Sequence, residues 1–344
     1  MAIAIIGIGC SEDQVVETLS APQAITFRTQ GGMPELRATG TTTAYVDAFV
    51  VYGTDNQLSN TNELIFNGVT VARQVSDRSF DYNPKKYFTV GATNAGFVAY
   101  SPVSQYVEFK AIQTSPVANG ISFDYTVVAP DESGNTTQED LLVAGTAINA
   151  TSTSDTGTPS TTVSMNFQHA LARIFVQAES SLTETVTIDS LKLLNLYSKG
   201  TFTITPTTDV EETDIWGTYS AVKDYKYTLA PTGVSVETSN ELKLVTSKEQ
   251  GMMVLPQATV NPSNDQVFDT GDFALELYYD VANIKNQRAR ILLTDGYKFE
   301  AGKQYAINIA FGGVVNVVEI NFDITVTDFS DTPALPVVPV PVGE

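Results

Sequence analysis

The chain has 344 residues, of which 42% are hydrophobic, and its net charge is −20. This length suits two domains with packed cores, and the apolar content excludes wholesale disorder. The negative electrostatic field of such a chain repels the phosphate backbones of nucleic acids, so we expect no nucleic-acid partner.

The first segment is the apolar run "MAIAIIGIG", followed by Cys10 and then by polar "SEDQ". Cys10 is the only cysteine, so no intramolecular disulfide can form. The run resembles a bacterial lipoprotein signal, in which the cysteine is acylated and becomes the first residue. We therefore expect residues 1–20 to be a signal remnant and tether with lipid on Cys10; the alternative is a buried free thiol.

Two strand-like segments, "AITFRT" (24–29) and "AYVDAFVVYG" (44–53), flank a connector. The connector "PELRATGTTTA" (34–44) is made mostly of small, polar, turn-prone residues and holds a single arginine, Arg37. From these residues alone, Arg37 is best interpreted as a solvated loop charge.

Alternation of apolar and polar residues recurs along the chain and predicts strands. In "ISFDYTVVA" (121–129) the alternating apolar residues begin at Ile121, and "VEINFDITVTDF" (318–329) predicts a long strand with one dry side. Turn residues interrupt these runs at roughly the spacing of β-sandwiches. We see no long amphipathic helix, so an all-β fold is predicted.

Composition changes at "NATSTSDTGTPSTT", which is polar and of low complexity. We interpret residues 151–160 as a linker between an N-terminal β-sandwich domain, 21–150, and a C-terminal one, 161–330. The tail 331–344 carries four prolines among valines. Proline forces an extended chain, and apolar extended segments are often bound by a partner.

The residues give no positive sign of an enzyme, a cofactor or a metal site. His169 is the only histidine, which with one cysteine rules out His/Cys zinc clusters and Cys–His nucleophiles. No Gly-x-Ser-x-Gly elbow or glycine-rich phosphate loop is present. Trp216 is expected to be a core residue or a plug at a domain edge, and the alternative is a sugar-stacking surface on which Trp216 or Tyr219 is exposed beside polar groups.

The order of several short segments resembles the fimbrillin family, the type V pilins and associated fimbrial proteins of Gram-negative anaerobes. These segments are "DLLVAGT" (140–146), "MNFQHALARIFVQA" (165–178), "VTIDSLKLLNLYSKGTFTI" (186–204), "MVLPQ" (253–257) and "FEAGKQYAINIAF" (299–311). The resemblance implies two transthyretin-like β-sandwich domains in tandem. It also implies export as a lipoprotein to the outer membrane through Cys10.

The resemblance further implies that an arginine-specific protease cuts an N-terminal loop, and the matching bond is Arg37–Ala38. Arg28 is a poorer site because it lies inside a predicted strand. The cut would free the strand 23–30, whose Ile25 and Phe27 would leave an apolar groove. A neighbouring subunit's extended segment would then refill the groove.

In the family the refilling segment comes from the C-terminus, which here offers the anchors Leu335, Val337, Val338, Val340 and Val342. The prolines conflict with this role, because a central strand must donate hydrogen bonds on both edges. Two alternatives stay open: the tail packs along a sheet edge, or part of 315–328 swings out instead.

The sequence therefore predicts a structural or accessory fimbrial subunit whose partners are other subunits, in a homopolymer or a mixed fimbria. The alternative is a surface lipoprotein, or a fimbrial tip or anchor adhesin, that binds a glycan or host protein without polymerising.

Overall fold

The computed structural model describes residues 23–29, 46–58, 63–77, 79–112, 120–128, 138–150, 161–208, 214–229, 233–246, 251–258, 271–292, 298–314 and 317–328. In these ranges the chain forms twenty strands and no helix, which confirms the predicted all-β class. Accordingly, they contain no helix that could cross a membrane.

The strands run in chain order. They are β1 (Thr26–Thr29), β2 (Ala48–Asp55), β3 (Phe66–Arg73), β4 (Phe80–Asp81), β5 (Asn94–Ser101), β6 (Val107–Ile112), β7 (Ile121–Thr126), β8 (Leu142–Asn149), β9 (Thr162–Met165), β10 (Gln168–His169), β11 (Ala172–Ser180), β12 (Val186–Ile204), β13 (Trp216–Thr228), β14 (Val234–Val236), β15 (Ser239–Leu244), β16 (Met252–Val254), β17 (Ala274–Val281), β18 (Ile284–Leu292), β19 (Lys303–Val314) and β20 (Val317–Asp328).

The strands build four sheets. A six-stranded sheet has the order β10-β8-β5-β2-β3-β4, and a seven-stranded sheet has the order β18-β17-β12-β7-β6, with β13 and β14 also paired to β12. A five-stranded sheet has the order β15-β11-β19-β20, with β16 beside β11. The fourth sheet is the parallel pair β1-β9.

The central strands β2 and β5 of the six-stranded sheet are buried on both faces, which explains the near-continuous apolar sequence of β2. Phe49 and Val51 point into an outer core shared with β1 and β9. Val50 and Tyr52 point into the main core, which β7 and β12 also line. The sheet therefore has β1 and β9 over one face and the seven-stranded sheet over the other.

Strand β12 connects the early and late parts of the chain. Its last residues pair with β7 through Lys199–Ile204, and its first residues pair with β17. Strands β9 and β10 pair back to β1 and β8. The linker 151–160 lies outside the described residues, so the division into two tandem transthyretin-like domains stays a prediction.

Two predicted strands differ in how well their apolar face is buried. The alternate residues of β7, from Ile121 to Tyr125, are buried as the pattern indicates. Strand β20 forms, but its predicted dry side is only partly buried: Ile320 and Ile324 pack against the main core, while Phe322 is 37% and Val326 is 47% exposed. The physical reason is position, because β20 is the last strand of its sheet.

Glu276 on β17 is a buried charge held by residues of its own hairpin. Tyr278 donates from its hydroxyl at 2.6 Å, Arg290 donates from Nε at 2.5 Å, and Arg288 also donates to the carboxylate. Burial alone raises the pKa of this carboxyl, but the three hydrogen bonds outweigh it and lower the pKa to about 2. The charged form therefore stabilises the fold.

We expect Glu276→Gln to flatten the acid dependence of stability. The folded pKa of about 2 lies below the ordinary 4.5, so the carboxylate stabilises the fold above pH 4.5, and this is lost as pH falls towards 2. Because the two arginines are partly exposed, we expect Glu276→Gln to lower the free energy of unfolding at pH 7 by only about 2 kcal/mol. Urea unfolding between pH 7 and pH 2.5 measures it, with the exposed Glu300→Gln as control. Parallel pH profiles for wild type and Glu276→Gln would contradict it.

Candidate functional site: the seat of the first strand

Strand β1 lies in a slot that we call the β1 seat. The seat is formed by β9 along one edge, by residues 82–86 along the other, and by an aromatic floor beneath. The floor consists of Phe49, Phe66, Tyr82 and Phe97.

Two apolar side chains anchor β1 in the seat. Ile25 is 0% exposed and Phe27 is 5% exposed. The Phe27 ring makes edge contacts with all four floor rings, at centroid distances between 5.2 and 5.9 Å. Aromatic rings favour this edge-to-face arrangement, which adds to the effect of burial. The sequence alternation "ITF" therefore places both large residues downward into the core.

The edge of β1 that faces β9 carries a parallel ladder. The Thr26 N–H donates to the carbonyl of Thr161 at 2.8 Å, and the register runs from Thr26 opposite Thr162 to Thr29 opposite Met165. Among the described residues, β9 is the one strand that pairs with β1.

In the described part of the chain, the other edge of β1 is held by separate hydrogen bonds and not by a ladder. The Ile25 N–H donates to the carbonyl of Lys86 at 2.9 Å, and the Tyr82 hydroxyl donates to the carbonyl of Ile25 at 2.6 Å. Burial raises the pKa of Tyr82, so its hydroxyl keeps the proton that it donates here. One edge of the seat therefore binds β1 through a ladder of backbone hydrogen bonds, and the other binds it through two separate hydrogen bonds at Ile25.

The upward side chains of β1 are polar and lie at the surface. The Thr26 and Thr162 hydroxyls are 3.0 Å apart, and Arg28 donates from Nε to the Ser164 hydroxyl at 2.6 Å. Arg28 is thus part of a paired strand with its guanidinium bound across the ladder. A protease that needs an extended, accessible loop has poor access to it.

Gly53 supports the floor of the seat, and sequence reasoning missed it. A Cβ at this position would overlap with the ring of Phe97, which in turn contacts Phe27. A glycine inside an apolar strand is a signal of close approach and could have pointed to this place.

Several predicted site residues lie outside the described residues. These are Cys10, Arg37, Ala38, Leu335, Val337, Val338, Val340 and Val342. Arg37 falls between the end of β1 and the resumption of the described chain at Val46. The roles of these residues stay predictions, as does the removal of the strand that carries Ile25 and Phe27.

The other candidate chemistry lies elsewhere. His169 Nδ1 is 2.7 Å from Asp140 Oδ2, and both residues are buried between β8 and β10. In the part of the chain that is described, no three His, Cys, Asp or Glu residues are grouped as a metal site would need.

The aromatic residues considered for sugar stacking are engaged in packing. Trp216 is 7% exposed, donates from Nε1 to the carbonyl of Ala170 at 2.8 Å and packs on Phe202. Tyr219 stacks on Tyr197 and donates its hydroxyl to the carbonyl of Pro256. The side chain of Trp216 is therefore a core residue and not a surface platform.

Comparison with known structures supports the same architecture. A fimbrial protein from Bacteroides vulgatus aligns with a TM-score of 0.54 at 14% identity, over 82% of this chain and 92% of that one. Putative cell adhesion proteins from Parabacteroides distasonis (TM-score 0.52, 9% identity, 91% and 97% covered) and Bacteroides eggerthii (0.51, 14%, 90% and 97%) are also similar. At these identities the likeness concerns the fold.

The sequence itself carries the family assignment. No curated protein matches the chain. The family model described as fimbrillin-like matches residues 37–328, which is most of the chain and spans both halves of the fold. This confirms the resemblance found in the segments between 140 and 311, and the chain belongs to the fimbrillin-like family.

Proposed function

We propose that this protein is a structural or accessory subunit of a type V fimbria at the cell surface, cleaved after Arg37 and polymerised by donor-strand exchange in support of adhesion. The observation that carries the proposal is the β1 seat. A short strand with two buried anchors closes the outer core, and the segment that joins it to the rest of the chain contains Arg37.

The seat supplies the driving force for exchange. Ile25 and Phe27 each contribute about 1.5–3 kcal/mol through burial, and the ladder to β9 adds backbone bonds. While the chain is intact, its connection keeps β1 at high local concentration. A cut after Arg37 removes that connection, so an extended segment with comparable anchors can take the place of β1.

The partners follow from this mechanism. An uncovered seat exposes apolar rings and the open edge of β9, which a strand from another subunit can satisfy. Because donor and acceptor surfaces differ, the contacts run head to tail and give a fibre, as a homopolymer or a mixed fimbria. The role needs no catalysis, and an arginine-specific protease is the processing partner.

Lipidation of Cys10 completes the proposal. The apolar run before Cys10 and the polar residues after it support export as a lipoprotein to the outer membrane. The rival function, a non-polymerising adhesin or a fimbrial tip or anchor that binds a glycan or host protein, loses its preferred sugar platform because Trp216 is buried.

We expect an arginine-specific protease to cut the folded protein between Arg37 and Ala38. Mass spectrometry of the digest should show this product, and Arg37→Ala should abolish it. Arg28→Ala is the matched control and should leave the cut unchanged, because Arg28 is held in β1. If the folded wild type resists at Arg37, processing at this bond is wrong.

Phe27→Ala should destabilise the uncut protein by about 3–5 kcal/mol, because it opens a cavity among four rings. Thr26→Ala, at the exposed neighbouring position, should cost less than about 1 kcal/mol. Thermal unfolding of both variants measures this.

The same substitution has a second, decisive readout. In polymers made from cut protein, Phe27→Ala should no longer affect stability, because a donor has replaced β1. A deficit that persists unchanged in the polymer would mean that β1 stays in its seat.

A further inference from the structure

Strand β20 ends the five-stranded sheet, and within the described residues no strand pairs with its outer edge. Its ladder to β19 runs from Lys303 opposite Asp328 to Val314 opposite Val317 without a register shift. A long, regular edge strand of this kind is a template for pairing with another chain, because its outer N–H and C=O groups form a continuous row.

In the described part of the chain, the other strands that end a sheet or branch from it have features that oppose such pairing. Strands β1, β4, β9, β10, β14 and β16 have between two and four residues each. Strands β6, β13, β15 and β18 pair through register shifts, and each contains lysine. Strand β20 has no lysine, arginine or proline, and it exposes Phe322 and Val326.

The alternation along β20 decides which backbone groups reach its open edge. The Ser181 N–H, just after the end of β11, donates to the carbonyl of Phe311 on β19 at 2.9 Å. Phe311 therefore bonds towards β11, and its partner across the β19–β20 ladder, Ile320, belongs to a pair without mutual hydrogen bonds. Every second residue of β20, including Ile320 and Phe322, accordingly presents its N–H and C=O groups at the open edge.

We propose that β20 is a self-association surface, at which the β20 strands of two copies pair antiparallel about a twofold axis at Phe322. In this register Phe322 lies opposite Phe322 of the second copy, and Ile320 lies opposite Ile324 of the second copy. Both pairs consist of residues whose backbone groups face the open edge, so they exchange hydrogen bonds. The inference goes beyond the proposed function, since it needs neither cleavage nor strand exchange.

Pairing of the two strands also covers apolar surface. Phe322 and Val326 lie on the same side of β20 as Ile320 and Ile324, which pack against the main core. Edge position leaves the first two exposed, and a neighbouring strand would cover them. At the axis the two Phe322 rings meet, and cross-strand aromatic pairs are among those that stabilise a sheet.

The polar face of β20 favours the same register. Asn321 and Asp323 are exposed, and Asn308 donates to the Asp323 carboxylate at 3.2 Å. With the axis at Phe322, Asn321 lies opposite Asp323 of the second copy, where an amide can donate to a carboxylate. An axis at Asp323 would instead place two aspartates directly opposite each other, which destabilises a sheet. The surface is therefore self-complementary in one register and repulsive in the neighbouring one.

The test uses full-length, uncut protein in reducing buffer at about 0.15 M salt, which screens the net charge of −20 and prevents cross-linking through Cys10. Analytical ultracentrifugation between about 1 and 100 μM should show a monomer–dimer equilibrium for wild type. Phe322→Lys places two like charges at the axis and should raise the dissociation constant at least about tenfold. Val222→Lys, at an exposed position of β13, is the matched control and should change it less than about twofold.

A second pair of variants tests the register. Asn321→Lys creates two ion pairs with Asp323 across the axis and should lower the dissociation constant about three- to fivefold, whereas Asn321→Asp should raise it by a similar factor. The same two changes at Asn67, which is exposed on β3, alter the net charge equally and should have effects below about twofold. Equal effects at positions 321 and 67 would overturn the register.

Thermal unfolding separates lost association from lost folding, and each variant should melt like wild type at the lowest concentration. Wild type that stays monomeric at every concentration, or a dimer that Phe322→Lys leaves unchanged, would overturn the proposal, whether the edge is covered by the same chain or by another protein. If cut protein still polymerises in that case, the proposed fimbrial function stands. A β20 dimer without polymer from cut protein would support this inference and contradict strand exchange.

Discussion

The packing of one phenylalanine against four aromatic rings is the contact on which the outer half of this fold depends. Phe27 reaches the floor from a strand of four residues, and within the described residues β9 is the other strand that lies over the same core. A central sheet that is apolar on both faces needs two covers. In the fimbrillin-like fold seen here, one cover is a large sheet, and the other is small and attached through a connector.

This unequal covering has an energetic meaning. The inner face of the six-stranded sheet is closed by strands that also pair within a seven-stranded sheet, so their removal would disrupt many ladders at once. The outer face is closed by the pair β1 and β9, whose ladder is four residues long. Local stability in a protein varies with the number of such contacts. The outer cover is therefore the part of this sheet's packing that is held by fewer ladder bonds.

Sequence patterns predicted the all-β class and the buried faces of several strands, because alternation is a local signal. The burial of Ile25 and Phe27 also followed the alternation of their segment. The exposure of Phe322 and Val326 on β20 could not be predicted, since the same alternation occurs whether the strand is central or at an edge. The pairing of β1 with β9 could not be predicted from local patterns either, because it joins residues 136 positions apart.

The aromatic floor and its supporting glycine show the same limit. Phe49, Phe66, Tyr82 and Phe97 are spread over four segments, and nothing in any one segment indicates that they share a pocket. The reason for a glycine at position 53 is visible only in the tertiary structure, where the ring of Phe97 lies too close for a side chain. The family segments pointed to the correct fold, but the geometry of the seat needed the tertiary structure.

The hydrogen bond from the Tyr82 hydroxyl to a main-chain carbonyl has a wider consequence. Every residue type, proline included, offers a carbonyl, so this bond does not discriminate between amino acids, whereas the neighbouring bond from the Ile25 N–H to the Lys86 carbonyl disfavours proline at position 25. Selection then falls on the two buried side chains, Ile25 and Phe27, and at position 27 only another aromatic ring would keep the edge contacts with the four floor rings. The slot that holds β1 is therefore tolerant of sequence change at its backbone contacts, whereas a charge in place of Ile25 or Phe27 would be buried without a partner.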